Sequence, residues 1–119
     1  MSDCLFCKII NGDIPVTKVF EDELIIAIED INPQAPTHLL IIPKKHIATA
    51  LELSSKDRQL IGEIFLCANK LAEERKIDQS GFRIVNNCQE GAGQTVFHIH
   101  FHLLGGRPMT WPRTKNLIE

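Results

Sequence analysis

The sequence predicts an α+β fold: a five-stranded antiparallel sheet with one long helix and a short N-terminal helix. Three observations predict it. Short apolar runs separated by turn residues recur along most of the chain, and the 55–75 stretch repeats its apolar residues at helical spacing. The last run alternates histidines with apolar residues. Strands joined by short turns pair antiparallel, and a single inserted helix covers one face of such a sheet.

Residues 5–11 read as a short helix stopped by Gly12 and Pro15. Val19-Phe20 and Leu24-Ile25-Ile26-Ala27-Ile28 read as two strands around the polar turn Glu21-Asp22-Glu23. Asp30 through Pro36 holds two prolines and an asparagine, which fits a loop. His38-Leu39-Leu40-Ile41-Ile42 is a third strand, closed by Pro43. In the helix 55–75, Ser54 and Asp57 resemble a capping box, and Leu60, Ile61, Ile64, Phe65, Ala68, Leu71 and Ala72 make one apolar face. Phe82-Arg83-Ile84-Val85-Asn86 is the fourth strand, and loop 87–95 leads into the fifth.

That fifth strand carries His98-Ile99-His100-Phe101-His102-Leu103-Leu104. Successive side chains of a strand point to opposite faces, so the three imidazoles share one face while Ile99, Phe101 and Leu103 enter a core. Three of the chain's five histidines sit here. Thr, Lys and Glu would serve a merely solvated face, so the run reads as a catalytic or metal-binding surface.

At 119 residues, residues 1–119 are expected to form a single domain with a core large enough to need no disulfide staples. The formal net charge of −2 comes without a basic stripe or an acidic block, which argues against nucleic acid as a partner. No segment approaches the length of a membrane span, and the N-terminal residues lack the pattern of a secretory signal. Four cysteines (Cys4, Cys7, Cys67, Cys88) in a chain expected to be cytoplasmic suggest thiols or metal ligands rather than bridges. Cys67 and Cys88 receive no role.

Before the histidines runs Glu90-Gly91-Ala92-Gly93-Gln94-Thr95-Val96. Its glycines let backbone N–H groups turn inward around an anion, or simply make a flexible hairpin loop. No Lys-Ser/Thr pair follows, so it is not a Walker loop, and no helix follows, so it is not a dinucleotide fingerprint.

The run Gly93-Gln94-Thr95-Val96-Phe97-His98-Ile99-His100-Phe101-His102-Leu103-Leu104 resembles the motif of the histidine triad (HIT) family of nucleotide hydrolases and transferases. Asp30 to His38, Ile42 to Ile47, and Leu104-Gly105-Gly106-Arg107 with Trp111-Pro112 resemble its Hint branch, the purine nucleoside phosphoramidases. His102 fits the hydrolases, since the galactose-1-phosphate uridylyltransferase branch usually has Gln there. Cys4-x-x-Cys7 departs from animal Hint proteins and is shared with several bacterial members.

The resemblance implies a HIT-like fold and cleavage of the P–N bond of purine nucleoside 5′-phosphoramidates through a nucleotidyl-histidine intermediate, without Mg²⁺ or a nucleotide cofactor. It implies His100 as nucleophile, His102 as phosphate contact and proton aid, and His38 as an orienting or relay residue. Gly93, Gln94, Thr95 and Val96 would cradle the α-phosphate. Asp30 would accept the ribose hydroxyls, although before Asn32-Pro33 it equally reads as a turn former. Asn87 would add a phosphate or ribose contact. Phe6, Ile9, Ile28 and Ile31 would sandwich the base, or serve as plain core. A homodimer is implied, with Trp111 near the partner's site.

Cys4-x-x-Cys7 reads as half a zinc site, a redox pair or two packed thiols, and no βαβ pattern supports the redox reading. By resemblance, His46 and His98 would complete a structural zinc site, which would exclude His98 from proton transfer. Two further functions stay open: a dinucleoside polyphosphate hydrolase, and a non-enzymatic zinc-stabilised nucleotide-binding or interaction module.

Overall fold

A computed structural model describes residues 3–112. Along the chain come α1 (Leu5–Ile10), β1 (Lys18–Glu21), β2 (Ile25–Glu29), β3 (Thr37–Pro43), α2 (Arg58–Glu74), β4 (Phe82–Val85) and β5 (Phe101–Gly105). The strands form one antiparallel sheet in the order β1-β2-β3-β5-β4. The α+β expectation, with one long and one short helix, holds.

β3 and β5 occupy the middle of the sheet, and every residue in both is buried. That explains why β3 reads as a continuous apolar run rather than an alternating one: both faces of this sheet are covered. On one face Leu39, Ile41 and Leu103 pack with Leu60, Ile64, Ala68 and Leu71 of α2. On the other, Ile26, Ile28, Leu40 and Ile42 pack with Phe6 and Ile9 of α1.

Local chemistry sets the boundaries. The Asp22 carboxylate accepts the N–H groups of Leu24 and Ile25, which ends the turn and starts β2 one residue later than Leu24. The capping box before α2 is formed: the Ser54 N–H donates to Asp57 Oδ2 at 2.9 Å, and Ser54 Oγ accepts from Lys56 N–H. The first turn there, Ser55–Asp57, is a 3₁₀ turn, and α-helical bonding begins at Arg58.

The histidine strand needs correction. Regular pairing starts at Phe101, opposite Ile41, so only His102 of the three histidines lies within β5. His98 lies in a bend, and the Ile99 N–H donates to the Ile47 carbonyl at 2.6 Å instead of joining the ladder. The alternation of faces nevertheless extends back through these residues. Ile99, Phe101 and Leu103 enter the α2-side core, while Phe6 of α1 meets the rings of His98 and His100 on the other side.

The end of β5 fits closely against its neighbours. A Cβ on Gly105 would stand 2.6 Å from Ile77 Cδ1, and Gly106 (φ +95°) abuts Pro36. Gly105→Ala is therefore expected to lower stability by about 1–3 kcal/mol through overpacking, read as an earlier urea midpoint with an unchanged slope.

Candidate active site

A cleft of about 530 Å³ opens between α1, the segment following it, the end of β2, the middle of β3, and the residues before β5. Its walls are mostly apolar, and Asp30, Thr95 and His100 bring polar side chains to it. Phe6, Ile9, Ile28, Ile31, Asp30, Thr95, Val96 and His100, singled out from the sequence, all line it. Ile31 is 99% exposed and stands at the rim rather than in a packed wall. Asn87, Gly93, Gln94, His38 and His102 are not among the lining residues.

Sequence reasoning missed Leu5, Ile14, Pro15, Val16, Thr17, Glu29 and Leu40 as cleft lining. Leu40 could have been found by alternation, since it lies between His38 and Ile42 on one face of β3, opposite Ile28 and His102. The 14–17 segment carried no periodic signal.

His38, His98, His100 and His102 are buried, and their hydrogen bonds assign the protons. His100, 3% exposed, donates from Nδ1 to the main-chain carbonyl of His98 at 2.8 Å, which puts the neutral ring's lone pair on Nε2. Burial pushes this imidazole below the usual histidine range, so it is neutral at pH 7. Asn86, also missed, donates from Nδ2 to the His100 carbonyl at 2.9 Å and fixes the backbone. Register could have pointed to it: Val85 pairs with His102, so the next residue reaches back toward position 100.

A second chain of protons runs through β3. The Gln34 N–H donates to His38 Nδ1 at 3.0 Å, so His38 carries its proton on Nε2 and donates it to His102 Nδ1 at 2.8 Å. His102 is thereby the Nε2–H tautomer. Burial pushes His38 below the usual range, opposed by the Asp30 carboxylate, whose Oδ2 lies 3.3 Å away. Asp30 Oδ1 accepts the Asn32 N–H in the turn expected of it. Oδ2 is buried without a hydrogen-bond partner.

The Gly-rich loop is stiffened from within. The Gln94 amide accepts from Gln89 N–H at 2.7 Å and donates to the Ala48 and Val96 carbonyls, so its side chain is spent on shaping the loop rather than free for a phosphate. Gly93 takes φ +95°, the left-handed turn that lets the loop double back before Thr95.

Behind the histidines, the Sγ atoms of Cys4 and Cys7 gather with Nδ1 of His46 and Nδ1 of His98, all within 4.8 Å of one another. Cys4 Sγ is 3.3 Å from His98 Nδ1, Cys7 Sγ is 3.4 Å from His46 Nδ1, and the two imidazole nitrogens are 3.1 Å apart. Ligands of a tetrahedral zinc stand about 3.3–3.8 Å apart, given Zn–S of about 2.3 Å and Zn–N of about 2.0–2.1 Å. His98 donates from Nε2 to the Pro43 carbonyl at 2.8 Å, the outer contact that aims Nδ1 inward as a ligand. Burial, then the neighbouring Cys4, raises the Cys7 thiol, so its ionisation calls for a cation. The donor set fits a metal ion. Elsewhere, Cys67 is buried against the α2-side core, its thiol pushed up to about 11.

Comparison with known proteins agrees with this geometry. A family model described as the HIT domain matches residues 11–109. The chain is 45% identical over 107 residues to the purine nucleoside phosphoramidase of Escherichia coli K12, covering 90% of each. A HIT family hydrolase from Legionella pneumophila superposes with a TM-score of 0.91 at 57% identity, over 92% of this chain and 98% of that one. One from Clostridium thermocellum gives 0.90 at 51% identity, over 92% and 96%. The alternating histidines, the glycine loop and the five-stranded sheet thus share one explanation: the chain belongs to the HIT domain family.

Proposed function

We propose that this protein hydrolyses the P–N bond of purine nucleoside 5′-phosphoramidates, with residues 1–119 acting as one HIT domain. The observation that carries the reading is the tautomer of His100, a neutral buried imidazole on the cleft wall with its lone pair on Nε2. In this reading Nε2 attacks the α-phosphorus, the P–N bond breaks, and the amine leaves with a proton. Water then cleaves the new bond between phosphorus and His100 and releases the nucleoside monophosphate. The 45% identity to a phosphoramidase supports this substrate class over dinucleoside polyphosphates.

We assign the remaining groups by their chemistry. The Thr95 hydroxyl and the Nε2–H of His102 meet the phosphoryl oxygens and the departing amine. Backbone groups of Gly93 to Val96, with Asn87, complete the phosphate cradle. The unsatisfied Oδ2 of Asp30 accepts ribose hydroxyls, as a buried carboxylate oxygen without a donor invites. Phe6, Ile9, Ile28 and Ile31 hold the base. His38 is a positioning residue that holds the His102 tautomer. The scheme needs no Mg²⁺.

We further propose zinc as the ion of Cys4, Cys7, His46 and His98, where it would tie the N-terminus to the sheet. The thiol ligands suit a reducing compartment such as the cytoplasm, and no helix among the described residues is long and apolar enough to cross a membrane. A homodimer is proposed as well, supported by the edge strand β4 and by Trp111, which is 89% exposed.

Three outcomes are expected. His100→Ala loses about 10³-fold or more of its turnover of an adenosine phosphoramidate and no longer traps labelled nucleotide, while AMP binding survives. Wild-type turnover by this variant would overturn the assignment, and faster cleavage of diadenosine polyphosphate would redirect the substrate.

Elemental analysis should find about one zinc per chain, lost in both Cys4→Ser and Cys7→Ser. Metal-free protein with reactive thiols at both positions would remove zinc from the scheme.

The His38 pKa is lowered on folding from 6.5, so the unfolded chain binds the proton more readily. Its contribution to stability is complete above about pH 6.5 and is lost as the pH falls below that value. Urea midpoints measured from pH 8 to pH 5 should fall, and fall less steeply in His38→Gln.

A further inference from the structure

α1 has six residues, whereas an isolated helix needs about 12–15 to persist in water. It is held from outside instead. Cys4 caps it by accepting the Cys7 N–H on Sγ, and the same two thiols are half of the Cys/His cluster. Between them in sequence stands Phe6, which is 4% exposed and lines the cleft. Its ring meets His98 edge-on at 5.9 Å and His100 at 4.9 Å. A second route runs through His98 itself, whose Nδ1 joins the cluster while its carbonyl receives the His100 proton. The cluster therefore touches the cleft at two points, one in the base wall and one at the histidine.

We infer that the state of the Cys4, Cys7, His46 and His98 cluster sets the nucleotide affinity of the cleft, with Phe6 as the positioning residue that transmits it. This rests on the nucleotide reading above and adds regulation of that site. With the cluster closed, α1 is pinned and Phe6 stands against His100. With it open, a helix too short to persist frays, and its wall of the cleft goes with it.

Linkage makes the inference testable without turnover. The full chain, zinc-loaded or chelator-stripped and checked for fold by circular dichroism, is titrated with AMP. Stripping should weaken AMP by at least about fivefold, and zinc should restore it. Reciprocally, AMP should tighten zinc by the same factor when the loaded protein competes with a chelating dye, a measurement that needs no stripped state. In Phe6→Ala the zinc-dependent change should shrink below about twofold, while Phe6→Leu keeps a larger share. Equal AMP affinity in the two states, unchanged zinc affinity with AMP, or a full zinc effect in Phe6→Ala overturns the coupling and leaves the nucleotide reading standing. Loaded protein that binds no AMP overturns the nucleotide reading and the coupling together.

Discussion

The hydrogen bond from Nδ1 of His100 to the carbonyl of His98 spans only two residues, yet most of the structure is arranged around it. Reversing the tautomer would leave the ring's lone pair facing a carbonyl oxygen, so the bond decides whether the imidazole offers an attacking nitrogen at all. Its acceptor is fixed from behind by the His98 ring, anchored on Pro43 and in the Cys/His cluster. Its donor is fixed by Asn86, which holds the main-chain carbonyl of His100 itself. A ladder could not supply this geometry, because a regular strand would turn the His98 carbonyl toward a neighbouring strand. The chain stays outside regular pairing through His100 and enters it at Phe101.

The histidine network works by the same logic of forced protons. One main-chain donor at Gln34 determines the tautomer of His38, and through it that of His102. Gln34 is itself held by Arg107, which donates to its carbonyl across the sheet end. The result is a set of neutral imidazoles whose donors and acceptors are assigned before any ligand arrives. Such groups need little reorganisation when phosphoryl charge develops beside them.

Much of this was legible in the chain. The capping residues Ser54 and Asp57 and the apolar stripe from Leu60 to Ala72 mark α2 because helix ends and faces are local properties. The histidine alternation marked two faces correctly even where no ladder exists, since alternation follows from extended backbone and not from pairing. What the sequence concealed depends on contacts made at a distance. Asn86 matters through register with β5, Leu40 through its partners in two strands, and the 14–17 segment because the loop folds over the cleft. Gln94 misled for the opposite reason: an amide beside a glycine loop looks like a ligand contact until its three partners are seen.

The sheet's two sides have different duties. The α2 side is an apolar layer that includes the Cys67 thiol, and the α1 side holds the cleft, the imidazoles and the thiols of Cys4 and Cys7. Substitutions that remodel the cleft therefore leave untouched the layer that supplies most of the cohesion. Relatives built on this plan are free to diverge in what they accept while keeping a common foundation, because drift on one side is not taxed on the other.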